Sequence, residues 1–389
     1  MRVVIAPDKF KGSLSADEVA RAVAAGLDGP LQSAVDLVPM ADGGDGTVDA
    51  ALRAGFSAVR QRVTGPDGTP VEATLAVRDD TAVVELATAS GLALLPRDEL
   101  LPMTAGSRGT GELIRAALDA GCRRVVLGLG GSACTDGGAG LICALGATLL
   151  DATGSALADG GAALAQLDRI DLSGLDTRLR DTDFVVALDV DNPLLGSTGA
   201  AYTFGPQKGA DASQVAQLDA ALDNFATVLA AALGRDLQQT IDAPGAGAAG
   251  GVGFAALAVL EATPQTGLEL VADLVGLADR VQGADLVITG EGSLDQQSLS
   301  GKTPVGVARI ARAAGVPTVV AVCGVSSLTD VEARAGGIDA VWTLADIEPD
   351  VTRSIANAAT LLRQVGTRIG HWARTELTTN TTEFAPEEA

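Results

Sequence analysis

The sequence predicts an α/β protein in which a parallel strand–helix domain is interrupted by a segment of different texture. Two observations carry this prediction. Within residues 1–57, and again from about 270 to 374, short apolar runs end in charged, glycine-rich loops that lead into helical patterns, the alternation that builds a parallel sheet. Between these ends, QRVTGPDGTPVEATLAVRDDTAVVELATASG alternates short β runs with turn signals such as Gly65-Pro66-Asp67-Gly68 and Asp79-Asp80, an antiparallel rhythm. The division expected is residues 1–57 plus 262–374 as one discontinuous domain, 58–261 as an inserted α+β domain, and a polar tail, 375–389, without fixed structure.

In chain order, Arg2–Ala6 reads as a strand, Pro7–Ser13 as a loop with Asp8, Lys9 and Lys11, and Ser15-Ala16-Asp17-Glu18 as a capping box opening a helix. Val35–Pro39 is the next strand. It ends in Met40–Thr47, where Asp42 and Asp45 stand between Gly43, Gly44 and Gly46. Carboxylates among glycines are poor folding choices and read as ligand contacts or metal ligands, or as a tight turn requiring positive φ. After the antiparallel stretch, a helix is expected near 109–120 and a strand at Arg124–Leu127. That strand enters GLGGSACTDGGAG, residues 128–140, with Gly130, Gly131, Ser132 and Asp136. Gly128-x-Gly130-x-x-Ala133, with Asp151 about twenty residues on, matches the dinucleotide fingerprint. The loop continues too far for the tight turn that fingerprint needs. Phe184–Leu188 leads into Asp189-Val190-Asp191-Asn192, then GPQKGA with Lys208, then a helix from Asp211 closed by Gly234.

The plainest strand–loop–helix unit is Asp285–Pro304. Asp285–Thr289 is the apolar run, Gly290-Glu291-Gly292 ends it, and a polar loop carries Asp295 and Gly301-Lys302. Thr303 and Pro304 take the N-cap and first helical positions. Pro317–Cys323 and Ala340–Leu344 complete the strands, and Pro349 opens the last helix. The simplest architecture is a flavodoxin-like parallel domain with the inserted domain between its halves. Ligands of such sheets bind beyond the carboxyl ends of the strands, and a cleft between domains would take loops from both.

Composition narrows the chemistry. The 389 residues suit two domains or three. With 47% hydrophobic but only 3% aromatic residues, the core must be Ala, Val, Leu and Ile. A net charge of −22 argues against nucleic acid and anionic membranes as partners, while leaving an anionic small molecule open. Met1-Arg2 runs straight into a strand, no apolar run reaches membrane-spanning length, and the four cysteines form no C-x-x-C pair. A cytoplasmic protein with reduced, buried thiols is expected. The single histidine, His371, argues against a Ser-His-Asp triad or a His-rich zinc site. Carboxylates, hydroxyls, backbone amides and lysines are left. The chain has 23 arginines and four lysines (Lys9, Lys11, Lys208 and Lys302), and all four lysines lie in loops. Lysine is a compact point charge where arginine is a planar fork, so a bias toward arginine would spare positions that need an ammonium.

Taken together, APDKFKGSLSA, MADGGDGT, GLGGSACTDGGAG, DVDNPLLG with FGPQKGA, GAGAAGGVGF and DLVITGEGSLDQQSLSGKTPVGVA resemble the bacterial type I glycerate kinase family, block for block over roughly 300 residues. Asp45 stands where the family usually has Glu, and GSACTDGG where it has GSATNDGG. The resemblance implies ATP- and Mg²⁺-dependent phosphorylation of D-glycerate, with 2-phosphoglycerate as the usual product and 3-phosphoglycerate as the alternative. It also implies an inserted domain of restriction-endonuclease-like topology. Asp8, Lys11, Ser13, Asp42, Gly43, Gly44, Gly130, Gly131, Ser132, Asp136, Asn192, Lys208, Glu291 and Asp295 are candidates for substrate or nucleotide binding. Asp42, Asp45 and Glu291 are candidates for the metal. Asp191 or Asp189 is the candidate base, with Lys302 beside it in catalysis. A monomer or homodimer is expected. A nicotinamide-dependent dehydrogenase would rest on the 128–133 fingerprint alone. A non-catalytic acid-binding protein would leave the carboxylates and lysine loops without a task.

Overall fold

The computed structural model describes residues 1–27, 34–41, 43–44, 46–96, 99–300 and 302–379. Its contacts divide the chain into two units: Met1–Asp42 with Val271–Ala389, and Gly43–Leu270.

The first unit opens with β1 (Val3–Pro7), α1 (Ala16–Gly26) and β2 (Val35–Leu37). The chain then builds the second unit: α2 (Thr47–Arg53), β3 (Ser57–Thr64), β4 (Pro70–Arg78), β5 (Thr81–Glu85), α3 (Ala87–Ser90), α4 (Arg108–Asp119), β6 (Arg124–Gly128) and α5 (Ala139–Ala144). It continues through β7 (Thr148–Leu150), β8 (Arg169–Asp171), β9 (Asp183–Ala187), α6 (Ala200–Phe204), α7 (Ala212–Leu233), α8 (Gln238–Ile241), α9 (Ala248–Ala258) and β10 (Thr263–Gln265). After α10 (Gly267–Val275) and α11 (Leu277–Arg280), the first unit resumes with β11 (Leu286–Leu294), α12 (Thr303–Ala313), β12 (Thr318–Ser326), α13 (Asp330–Ala335), β13 (Ala340–Thr343), α14 (Val351–Ala356) and α15 (Ala358–Thr379).

The first unit holds a five-stranded, all-parallel sheet in the order β13-β12-β11-β1-β2. β1 is buried along its whole length, as a central parallel strand covered on both faces must be. Register aligns Pro7, Gly290 and Val322 across the sheet. One face is covered by α1 and α15, which bury Val19, Val23, Leu362, Val365 and Ile369 against Val3, Ile5, Leu286, Ile288 and Val320. The two helices meet through glycines. A Cβ on Gly26 would lie 2.0 Å from the Arg363 carbonyl, and one on Gly366 would lie 2.2 Å from that of Val23. The expected capping box is formed: Ser15 accepts from Glu18 N while Glu18 accepts from Ser15 N.

β11 departs from expectation. It does not stop at Thr289 but runs on through Gly290-Glu291-Gly292 to Leu294, because β12 extends alongside it and pairs as far as Leu294 with Ser326. Gly290 is required there, since a Cβ would stand 2.2 Å from the Val322 carbonyl.

The second unit holds a six-stranded mixed sheet in the order β10-β9-β6-β5-β4-β3. β3, β4 and β5 form the antiparallel meander that the turn signals predict; from β5 onward the pairings are parallel. The meander does not start this unit. α2 packs on β4 and β5, and β10 joins the sheet beyond residue 262, so the change of sequence texture near residue 58 lies inside the unit. The core gathers Leu75, Val84, Leu113, Ile114, Leu127 and Leu141, and Phe225 meets Phe254 edge to face at 6.1 Å. No helix among the described residues is long and apolar enough to cross a membrane.

Candidate functional site

In the first unit, the loops beyond β1 and the extension of β11 lie side by side. Asp8 follows β1, and its amide donates to the Gly290 carbonyl at 2.8 Å. Its carboxylate is buried, 7% exposed, and accepts from Lys9 N at 2.6 Å and Thr303 Oγ1 at 3.0 Å. Glu291 sits one residue past Gly290 and accepts from the buried Ser298 hydroxyl. Asp295 turns the chain back by accepting from Gln297 N at 2.8 Å and Ser298 N at 3.2 Å. Burial pushes the Glu291 carboxyl above its ordinary range. The Ser298 hydrogen bond and the Lys302 charge pull it back, while Asp8 and Asp295 push it further up. Asp8, Glu291, Asp295 and Lys302 therefore form one electrostatic group.

The remaining first-unit candidates stand nearby in different ways. Lys302 is exposed, and its ammonium donates to Gln297 Oε1 at 3.3 Å. It also takes the N-cap position of α12, which shifts Thr303 and Pro304 one place inward from expectation. The Thr303 hydroxyl is consequently turned to Asp8 rather than to a helix amide. Lys11 is exposed, and its backbone lies 3.5 Å from where a Cβ on Gly292 would stand. Ser13 is turned to α14, donating to the Ile355 carbonyl at 3.0 Å. Ser298 and Thr303 are the members sequence reading missed; each lies within the loop already singled out.

In the second unit, Glu85, Gly128, Ala187 and Gln265 stand in one row at the carboxyl ends of β5, β6, β9 and β10. Gly43 (φ 78°) packs over this row: a Cβ there would meet Gly267 Cα at 2.5 Å and Ala187 Cβ at 2.7 Å. Glu85, 5% exposed, accepts from Gly46 N at 3.1 Å and Val48 N at 3.0 Å, capping α2 where Gly46 has no side chain to do so. The carbonyl of Gly44 accepts the Thr47 hydroxyl at 2.7 Å. Asp42 and Asp45, read as metal and substrate candidates, lie outside the described residues. Sequence reading did not single out Glu85, which sits inside an apolar run with no local signal of its task.

The loop after β6 carries the second set. The fingerprint reading fails here, because β6 ends at Gly128 and α5 begins only at Ala139. Asp151 merely closes its own exposed turn, accepting from Thr153 and Ser155. Asp136 is fully buried and accepts from Ser107 N and Oγ at 2.9 Å, Gly140 N at 3.0 Å and Gly138 N at 3.2 Å. It thus fills the N-terminus of α5. Burial raises its pKa against the pull of those donors. Lys208, read as a direct anion contact, is 1% exposed and lies behind the loop, donating to Ser132 Oγ at 2.9 Å and to the Cys134 carbonyl at 2.6 Å. Burial lowers its pKa, opposed by Cys134 and Asp136.

Gly245–Gly251 packs on this loop rather than opening to solvent. Gly250 accepts from Gly137 N at 2.9 Å, and a Cβ on it would lie 2.1 Å from the Cys134 carbonyl. Ala249, Gly250 and Gly251 are all left-handed, and Ala249 has no glycine's freedom there. After β9, Asp189 is exposed and accepts from Gly267 N, the first amide of α10, at 2.8 Å. Asp191 is exposed. Asn192 braces its own loop through Thr198 O at 2.7 Å and Thr203 Oγ1 at 3.2 Å.

No group of three His, Cys, Asp or Glu side chains among the described residues converges as a metal cage. Glu291, with Asp8 and Asp295 close enough to raise its pKa, offers oxygen donors of the type Mg²⁺ takes, one or two carboxylates with substrate phosphates completing the shell.

The glycerate kinase family model matches residues 3–374. A glycerate kinase of Bacillus subtilis (strain 168) is 48% identical over 348 residues, covering 88% of this chain and 90% of the relative. A glycerate 2-kinase of Escherichia coli (strain K12) is 47% identical over 350 residues, with 88% and 90% covered. A solved structure from Salmonella typhimurium LT2, described as a glycerate kinase 2, superposes with a TM-score of 0.83 at 41% identity, covering 97% of this chain and 99% of that one. Matched along nearly its whole length in sequence and in fold, the chain is an enzyme and belongs to the glycerate kinase family.

Proposed function

We propose that the chain transfers the γ-phosphoryl group of ATP to D-glycerate, giving 2-phosphoglycerate and ADP. The observation that carries this reading is the group formed by Asp8, Glu291, Asp295 and Lys302 with Ser298 and Thr303, placed at the carboxyl ends of β1 and β11. Phosphoryl transfer asks a protein mainly for positioning and for charges that complement those of the phosphates. Lys302 of that group and Lys11 of the loop after β1 are exposed cations and contact anionic oxygens. Glu291, its oxygen held by Ser298, is the carboxylate that would hold Mg²⁺, which would supply charge neutralisation to the phosphates. Asp189 or Asp191 accepts the proton of the attacking hydroxyl. Asp189 already has one oxygen tied to Gly267 N, which fixes its direction, and Asp191, two residues on, is likewise exposed to solvent.

Transfer to the 2-hydroxyl is favoured by the name of the Escherichia coli relative at 47% identity. The strand order of the first unit, 2-1-3-4-5 when its strands are counted within the unit, supports the flavodoxin-like reading. The mixed sheet of the second supports an inserted α+β domain, for which a restriction-endonuclease-like topology is proposed. A net charge of −22 supports a cytoplasmic enzyme of small molecules without nucleic-acid or membrane partners. A coupled ADP-release assay with D-glycerate, followed by NMR of the product, tests the proposal. ADP release with a phosphorus coupling at C2 is expected. Absence of glycerate-dependent ADP release would overturn the kinase reading, and a coupling at C3 would overturn its regiochemistry.

A further inference from the structure

We propose that the Gly130-Gly131-Ser132 turn is a phosphate subsite, and that Lys208 is a positioning residue behind it that fixes Ser132 as a hydrogen-bond donor to the ligand. The inference deepens the kinase reading by naming which group of the substrates this turn takes.

Hydrogen-bond directions carry the argument. The Lys208 ammonium has donors only, so in its 2.9 Å bond to Ser132 the hydroxyl oxygen must accept. The Ser132 proton is then free to point away from the lysine, and Ser132 is only half-buried. The amides of Gly130 and Gly131 make no hydrogen bond to the protein among the described residues. Gly130 is half-buried, Gly131 is exposed, and Gly131 has φ 72°, the left-handed conformation that lets successive N–H groups converge on an anion. The turn therefore presents two amides and one hydroxyl, all as donors, just beyond the carboxyl end of β6.

Charge favours the same ligand. No carboxylate among the described residues lies within 4 Å of the Lys208 ammonium, which donates to a hydroxyl and a carbonyl and feels the Asp136 carboxylate only from farther off. A buried cation without a direct ion pair is costly, and an anion on the other side of Ser132 adds compensating charge. The N-terminus of α5 offers no rival place, because Asp136 already accepts from Gly138 N and Gly140 N. Two unpartnered amides and a hydroxyl donor on successive residues suit the oxygens of a phosphoryl group. The carboxylate of glycerate shares the anionic chemistry, and the experiment separates the two.

The test is equilibrium binding to the full chain, by calorimetry, of inorganic phosphate, ADP and D-glycerate separately. Ser132→Ala is expected to weaken phosphate and ADP about tenfold and to leave D-glycerate unchanged, the tenfold being the loss of one hydrogen bond to a charged group. Lys208→Met is expected to weaken ADP in the wild-type background and to do so much less in the Ser132→Ala background, since it acts through that hydroxyl. A merely structural lysine would cost the same in both. Equal ADP binding by wild type and Ser132→Ala, or a loss confined to D-glycerate, would overturn the proposal. Phosphate binding needs no turnover, so this outcome is distinct from failure of the glycerate-dependent ADP assay.

Discussion

Asp136 is the buried carboxylate whose removal the structure prices most directly. Its two oxygens take four donors: Ser107 N, Ser107 Oγ, Gly138 N and Gly140 N. Ser107 Oγ in turn accepts from Leu141 N at 3.0 Å, so one side chain fastens two segments of the second unit. Asp136→Ala leaves three buried amides without an acceptor. At about 1–3 kcal/mol each, less the relief of no longer burying a carboxylate, the net loss is about 3–5 kcal/mol. For a unit of this size that is a fall in melting temperature of roughly 6–20 °C, read by thermal unfolding followed by circular dichroism. Asp136→Asn keeps one acceptor and should fall between. The pH dependence has a definite sign. Burial raises the folded pKa of Asp136 above its unfolded value, so the folded state binds the proton more tightly. Its contribution is then complete below the unfolded pKa and is lost as pH rises through the folded one. Asp136→Asn does not titrate and should flatten that slope. A melting temperature for Asp136→Ala within about 2 °C of wild type would refute the claim that this network holds the loop.

Four further outcomes follow from the geometry. Gly366→Ala forces a methyl to within 2.2 Å of the Val23 carbonyl, so α1 and α15 must part; a loss of about 3 kcal/mol or more is expected in urea unfolding, and an unchanged midpoint would count against the contact. Thr303→Val preserves shape but takes one donor from buried Asp8; kcat should fall about tenfold while the melting temperature drops by only a few degrees, and unaltered kcat would separate Asp8 from the chemistry. Ser298→Ala removes the donor that favours ionised Glu291; if turnover needs that carboxylate charged, the acid limb of the kcat/KM profile moves to higher pH, and a limb that stays in place excludes Glu291. Lys302→Ala and Asp191→Asn should each cut turnover by orders of magnitude at unchanged circular dichroism, so near-wild-type rates would remove that residue from the site.

What could be read in the sequence was what is written locally. The capping boxes at Ser15 and Asp211 have their partners three residues on, and they form where local pattern puts them. What could not be read depends on distant partners. β11 continues past Gly290 because β12 is there to pair with it, a fact no window around residue 290 contains. Glu85 caps a helix 37 residues earlier from within an apolar run. Lys208 was marked by its rarity, and rarity does not say on which side of the loop the ammonium lies; only the fold puts it 74 residues back, at the Cys134 carbonyl. Gly245–Gly251 shows the same limit, because a glycine needed for close packing and one needed for an anion look alike in sequence.

The first unit is assembled from the two ends of the chain. Val3 pairs with Leu286, and α1 packs on α15, while residues 43–270 form the second unit in between. During synthesis β1 and α1 leave the ribosome early, yet they must wait for about 260 residues after α1 before β11 exists, on the order of ten to fifty seconds at ordinary elongation rates. The second unit has all its strands by residue 265 and can be complete before the first has begun to close. The usual order, N-terminal domain first, is thus inverted. Through that interval the apolar VVIAP strand has only the three-residue β2 to pair with and its β11 edge stays open, the kind of segment that chaperones bind and that aggregates when left alone. Ribosome-associated chaperones should engage this nascent chain early, and release it only when the last helix has emerged.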